Sequence, residues 1–341
     1  MRSKFLQGAA AAIAALAMLA ATSNAAELEK KQLIIAMGGK SLYYLPLTIA
    51  DKLGYFREEG LDVTIADFAG GSKAAQALLG GSADIAAGSY EYAITLKAKG
   101  MDIEGIVLLG RYSGMALAVD KKKMAGYKSP RDLKGFVVGL TAPGSSTNMF
   151  LNNLLVKNGL QPSDVSVVGV GTTSGAIAAV KKGSVDAIVN LDPVITKLER
   201  DGDVVVVADA RNAEGMTQVY GGPYMAGCLF ATSQFTERYP NTAQALANAM
   251  VHALRWLRDA PPDRVLDTVG PEYYGEDRAL YKDALAKNIG SFLHDGSFTA
   301  EGAQGAYAVL NAFDPALKGA KIDLARTYTN RFVQAAGQKY K

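Results

Sequence analysis

The stretch Asp62–Tyr90, DVTIADFAGGSKAAQALLGGSADIAAGSY, returns 102 residues later as Asp164–Asp192, DVSVVGVGTTSGAIAAVKKGSVDAIVNLD. Identities fall at Asp62/Asp164, Val63/Val165, Ser72/Ser174, Ala74/Ala176, Ala77/Ala179, Gly81/Gly183, Ser82/Ser184 and Asp84/Asp186. Each copy reads as an apolar strand, a Gly/Ser/Thr loop, a short helix ended by Gly-Ser, and a second strand. Solenoids repeat every ~20 to 50 residues, so this spacing means two equivalent α/β units. Any two βαβ units share some physics, but the matched loops and the matched turn after the helix argue for duplication. Loops at the carboxyl ends of parallel strands are where α/β folds hold ligands. Two such units are therefore expected to hold a ligand between them.

Outward from the repeat, the first 25 residues read as a leader. Arg2 and Lys4 precede an unbroken apolar run from Gly8 to Ala21, and Ser23-Asn24-Ala25 supplies small residues at the usual cleavage spacing. The run is shorter than the ~18 to 20 residues that span a membrane. Cleavage is expected after Ala25, or after Ala26, and would release a protein without a lipid anchor into the periplasm. The lone cysteine, Cys228, permits no intramolecular disulfide even there and reads as a small buried apolar residue. Lys and Arg number 36 and Asp and Glu 33, a formal charge of +3. Losing Arg2 and Lys4 leaves +1, which argues against a nucleic-acid surface.

Along the chain, Leu33 to Met37 reads as a buried strand leading to Gly38-Gly39-Lys40-Ser41 and a helix to about Tyr55. Ile103 to Leu109 and Met115 to Val119 read as strands, the second leaving the first unit. Ser129-Pro130 is a helix-start signal. Phe136 to Leu140, the loop Thr141 to Ser146 and a helix closed by Gly159 open the second unit. A helix from Pro193 to Arg200 and a strand at Val204 to Val207 follow, and the chain crosses back near Tyr220 to Phe230. From Glu237 the pattern is helical, and this region is expected to pack on the first unit, with Trp256 in its core.

Catalytic signatures are absent from the sequence. His252 and His294, the two histidines, are remote from the loops, and no P-loop, dinucleotide fingerprint or Gly-x-Ser-x-Gly elbow occurs. Anion binding is the better expectation. Thr141-Ala142-Pro143-Gly144-Ser145-Ser146-Thr147 lies between a strand and a helix, where backbone N–H groups and the helix dipole could hold a carboxylate, sulfonate or phosphate. Gly70-Gly71-Ser72 and Thr172-Thr173-Ser174 offer the same arrangement, although ordinary N-capping explains each hydroxyl as well. Tyrosines cluster at the same loops: Tyr43, Tyr44, Tyr90, Tyr92, Tyr112, Tyr220 and Tyr224. They suit a planar ligand. Gly39, Lys40, Ser89, Glu91, Arg111, Asn190 and Asp192 stand beside them. Asp192, just before Pro193, either caps the next helix or meets the ligand. The working set takes Ser145, Ser146 and Thr147 for an anionic head and Tyr43, Tyr44 and Tyr90 for a planar body.

The runs LTIADKLGYFREEGLDV, GSADIAAGS, DLKGFVVGLTAPGSS and NLDPVITKLE resemble ABC-transporter substrate-binding proteins of the nitrate/sulfonate/taurine type, which are related to binding proteins for thiamine-pyrimidine precursors. The resemblance spans about Leu33 to Val207. It implies a type II periplasmic binding protein fold, with two α/β lobes joined by a two-segment hinge. Residues 1–25 would be the leader, 26–114 with 226–341 one lobe, and 115–225 the other. It places Gly38 to Tyr44, Ser72, Ser89-Tyr90, Ser145-Ser146 and Asp192 at pocket-lining positions. Leu191-Asp192-Pro193 stands where many relatives carry Trp-Glu-Pro. The implied function is capture of a small organic anion and delivery to permease subunits, by a monomer without cofactor, metal or nucleic acid. A thiamine-pyrimidine precursor is the alternative ligand. An enzyme on the same fold, either a pyrimidine synthase or a small-carboxylate dehydratase, is the alternative class, and a secreted sensor subunit stays open.

Overall fold

The computed structural model describes residues 27–292 and 295–340. The expected leader, its cleavage site and His294 lie outside the described residues. Among the described residues, ten strands form two sheets: β1 (Gln32–Met37), β2 (Asp62–Asp67), β3 (Ile85–Ser89), β4 (Ile103–Leu108), β5 (Met115–Asp120), β6 (Val137–Leu140), β7 (Ser166–Gly169), β8 (Ala187–Leu191), β9 (Val204–Asp209) and β10 (Gly227–Thr232). The first sheet runs β2-β1-β3-β10-β4 and the second β7-β6-β8-β5-β9. Position for position they are the same sheet.

The repeat maps onto this identity. The second strands of the two copies, β3 and β8, are central and parallel to β1 and β6. Both are buried along their whole length, which explains the apolar residues 85–88 and 187–189. Gly81 and Gly183 both have positive φ, 74° and 68°, in the turn that ends the repeat helix. A side chain would be strained there, so glycine recurs. Asp84 and Asp186 recur for a structural reason as well. Each accepts a hydrogen bond from a backbone N–H at the start of the neighbouring strand, Ile34 at 3.0 Å and Val137 at 2.9 Å. Each also pairs with a lysine, Lys30 and Lys123.

The lobes exchange strands. β5 follows β4 yet inserts antiparallel between β8 and β9, and β10 follows β9 yet inserts antiparallel between β3 and β4. Each intruding strand carries a register shift at the same place, Leu117/Ala118 and Leu229/Phe230. The chain therefore crosses between the lobes twice, forming the two-segment hinge.

Two sequence expectations need correction. Ser129-Pro130 opens only a single 3-10 turn, Pro130–Leu133, because Lys134 is already non-helical and Gly135 follows with φ of 83°. The C-terminal region also does not pack on the first lobe alone. The helix Pro240–Asp259 lies on first-lobe helices, but Arg278–Asn288 touches Val194–Arg200, and Ala300–Phe313 touches both Glu91–Ala98 and Ser146–Lys157. With the lobes together, a helix lying over the seam reaches both. Trp256 is half-buried at the core margin, with Arg264 over its ring. Among the described residues, no helix is long and apolar enough to cross a membrane.

The lobes meet closely at Gly39. Its φ is 102°, and a Cβ there would lie 2.4 Å from Thr172 Oγ1 on the other lobe. Gly39→Ala is expected to strain the loop and push the lobes apart, shown by a larger radius of gyration in small-angle scattering. An unchanged radius would mean the loop, not the lobe spacing, absorbs the strain.

Candidate functional site between the lobes

The loops following β1, β2 and β3 face those following β6, β7 and β8. Backbone and side-chain bonds cross the seam. Leu42 N–H donates to the Asp192 carbonyl at 3.1 Å, and Ser72 Oγ donates to the Pro143 carbonyl at 3.1 Å. Along one side the seam widens into a recess of about 880 Å³, lined on one wall by Ser72, Gln76 and Tyr92 and on the other by Asn148, Met149 and Asn152.

Glu91 lies on the first-lobe side, behind the recess wall and within electrostatic reach of Tyr220 on the second lobe. It begins the helix Glu91–Ala98 and is 1% exposed. Tyr224 donates its hydroxyl to Oε1, and Ser89 Oγ donates to Oε2 at 2.7 Å. Burial pushes its pKa up to about 7 against the pull of these two bonds. Tyr220 stacks on Tyr224, with centroids 3.9 Å apart, and Tyr43 meets Tyr44 edge-on at 5.0 Å. Burial first, with Glu91 contributing, holds Tyr43, Tyr92, Tyr220 and Tyr224 well above the ordinary phenol range. The hydroxyls of Tyr43, Tyr92, Tyr220, Ser41 and Ser113 are buried and make no hydrogen bond of acceptable geometry, although Tyr43 lies beside Ser89 and Tyr220 beside Ser113. Such a group costs about 1 to 3 kcal/mol when left unpaired. Buried hydroxyls are ordinarily paired with protein, ordered water or ligand, and several of these gather at one seam.

The anion loop is arranged differently from the expectation. Ser145 Oγ lies 2.7 Å from Thr141 Oγ1 and 2.8 Å from Thr147 Oγ1, and donates to the Ala142 carbonyl at 2.6 Å. Thr147 Oγ1 also accepts from the Thr141 N–H at 3.1 Å. These hydroxyls fasten the loop to itself. What remains at the helix start is backbone N–H, which has no partner within the helix. The Tyr92 hydroxyl, from the opposite lobe, sits beside the N–H of Ser146.

Tyr90 is also corrected. Its ring is fully buried in the first lobe against Phe298 and Tyr328, and its hydroxyl pairs with Thr327. Facing the cleft instead are the next two residues, Glu91 and Tyr92. Asn190 is structural, donating to the Gly171 carbonyl at 2.9 Å while its Oδ1 accepts from the Leu191 N–H at 2.9 Å. Lys40 is exposed, 3.9 Å from Asp67. Tyr112 is half-buried under the Arg111 guanidinium. Gly71 lies against the Tyr92 ring, where a Cβ would come within 2.9 Å.

Asp192 has its carboxylate engaged by the protein. Oδ1 accepts from the Thr196 N–H at 2.8 Å, the capping role, and Oδ2 accepts from Asn288 Nδ2 at 2.7 Å and Arg211 Nη1 at 3.2 Å. Arg211, absent from the sequence-derived set, also binds Asp209 through Nη2 at 2.6 Å and Glu199 through Nη1 at 3.3 Å. Burial alone would lower its pKa, but Asp209, Asp192 and Glu199 together raise it. Neither Arg211 nor Asn288 lies near a recognisable motif. Only an arginine placed just after a strand predicted to end at the seam could have hinted at the pair.

The two lobes, their exchanged strands and the cleft between them define the type II periplasmic binding protein fold. The chain belongs to the NMT1/THI5-like family, whose profile matches residues 41–263. A solved structure from Bordetella bronchiseptica RB50 is 46% identical, with a TM-score of 0.90, over 92% of this chain and 99% of that one. The alkanesulfonate-binding protein SsuA of Xanthomonas axonopodis pv. citri, solved bound to MOPS, shares the fold at 21% identity and a TM-score of 0.70, over 91% and 99% of the two chains. The 4-amino-5-hydroxymethyl-2-methylpyrimidine phosphate synthase of Schizosaccharomyces pombe is 24% identical over 266 residues, covering 75% of this chain and 70% of that protein.

Two predictions follow from these carboxylates. Arg211→Ala strands Asp192 and Asp209 without their cation and is expected to cost about 3 to 5 kcal/mol in denaturant unfolding. Asp192→Asn keeps an acceptor for the Thr196 N–H and should cost less. For Glu91 the folded pKa is raised from 4.5 to about 7. Its contribution to stability is therefore present in full below pH 4.5 and is lost as pH rises to about 7, by at most ~3 kcal/mol. Thermal melts of ligand-free protein at roughly pH 5 and pH 8 should show this loss, and Glu91→Gln should flatten it.

Proposed function

We propose that the chain is the solute-binding subunit of an ABC importer, released into the periplasm after removal of residues 1–25, with 26–114 and 226–341 closing on 115–225 around a small polar solute. The carrying observation is the set of buried hydroxyls drawn from both lobes: Ser41, Tyr43, Tyr92 and Ser113 from the first, the last where the chain leaves it, and Tyr220 from the second. A solute with complementary polar atoms would satisfy them only when the lobes are together, which couples capture to closing. Presentation to permease subunits is the role that fits such a device.

An anionic group on the solute, the expectation from the Thr141–Thr147 loop, would be met by the Ser146 N–H and the Tyr92 hydroxyl rather than by Ser145 and Thr147. A planar body is supported by Tyr43, Tyr44, Tyr220 and Tyr224 rather than by Tyr90. We read the site as non-catalytic. Its side chains are hydroxyls, one carboxylate and the thiol of Cys228, which burial holds in its neutral form, and His252 lies elsewhere, stacked between Tyr55 and Tyr340.

The test is native mass spectrometry of protein purified from its expressing cells. A small solute should be retained and released on denaturation, with no chemical change during long incubation. Scattering of the stripped protein should give a larger radius of gyration than that of the liganded protein. Turnover of the retained molecule would overturn the non-catalytic reading, and an unchanged radius would indicate a preformed pocket.

A further inference from the structure

We infer that the cleft selects a solute carrying a nitrogen donor, an amine or amidine, and that Glu91 is the residue that selects it. This rests on the solute-binding reading above and goes beyond it in naming the group recognised. The carboxylate is buried at the seam with two donors, Tyr224 and Ser89. Two oxygens offer about four acceptor positions, so part of its capacity is open. No lysine or arginine pairs with it in any described salt bridge. Arg111, just after β4, is exposed and donates to the Gly290 carbonyl at 2.9 Å.

The groups facing Glu91 from the neighbouring elements are the phenols of Tyr43, Tyr92, Tyr220 and Tyr224 and the thiol of Cys228. All are weak acids held in their neutral form by burial. None supplies positive charge. A buried carboxylate without a cation is unfavourable unless a partner arrives, and a protonated amine or an amidinium supplies both the charge and the N–H donors. The unpaired hydroxyls of Tyr43 and Tyr220 can accept further N–H bonds, and the stacked Tyr220–Tyr224 pair offers aromatic faces that attract a cation. A sulfonate or carboxylate placed against Glu91 would instead meet like charge. An anionic group on the same solute thus belongs at the Ser146 end.

The experiment compares wild type with Glu91→Gln. Solute released from natively purified wild type is identified by mass, and its affinity for both proteins is measured by calorimetry. In parallel, thermal shifts are recorded for the matched pair 2-aminoethanesulfonate and ethanesulfonate. The inference expects a nitrogen donor in the retained solute, at least a tenfold weaker affinity in Glu91→Gln, and a stronger shift from the aminated probe that the variant loses. Identification of the wild-type solute stands even if the variant folds poorly. A retained solute without nitrogen donors, or equal affinity in the two proteins, overturns the inference while leaving solute binding intact. No retained solute and no shift from either probe would remove the solute-binding reading itself.

Discussion

Everything in this molecule depends on the reciprocal exchange of one strand between two sheets. β5 and β10 each leave the lobe that precedes them and insert antiparallel beside the central strand of the other. Because the intruding strand is hydrogen-bonded on both sides, neither lobe can complete its sheet without chain from across the seam. The crossings hold the carboxyl ends of both parallel sets face to face. A cleft between the loops is then a consequence of topology and needs no special residues to create it.

Topology does not determine which polar groups fill the seam. Two buried networks occupy it, and they differ in how completely they are satisfied. Around Arg211, three carboxylates and a threonine surround one guanidinium, Asn288 adds a bond to Asp192, and the groups meet partners at 2.6 to 3.4 Å. Such a network fixes geometry, and breaking it strands a buried charge. Around Glu91 the partners are hydroxyls alone, several of them unmatched. A network left incomplete in a closed protein is unfavourable by several kcal/mol in total, which is the free energy a bound solute can recover.

The duplication was legible because its identities are backbone requirements: a positive-φ glycine after each helix and an aspartate tying each central strand to its neighbour. Fold class and the two crossings follow from it. The site was less legible because facing direction depends on a phase of one or two residues at the end of β3. Tyr90 turns into the lobe core, and Glu91 and Tyr92, which the sequence names beside Tyr90, turn to the seam. Hydroxyls in a Gly/Ser/Thr loop look alike whether they face a ligand or one another. In the Thr141–Thr147 loop they face one another. The Asp192 partners lie in β9's following turn and in a helix near residue 288, separations at which sequence offers no register.

The two halves differ most where they would be expected to match. Each central strand is followed within two residues by a buried acid, Glu91 after β3 and Asp192 after β8. Each outer strand is followed by an arginine, Arg111 after β4 and Arg211 after β9. In the second lobe the arginine lies two residues past the strand and turns inward, so the acid is neutralised by its own chain. In the first lobe it lies three residues past the strand and turns outward over Tyr112, bonded to the Gly290 carbonyl. One residue of phase therefore decides whether an acid at the seam is part of the scaffold or is left for a ligand. The duplicated fold puts an acid just past each central strand, Asp192 one residue and Glu91 two residues beyond it, and the broken symmetry of the arginines ties Asp192 into the scaffold and, on the proposed reading, leaves Glu91 for the solute.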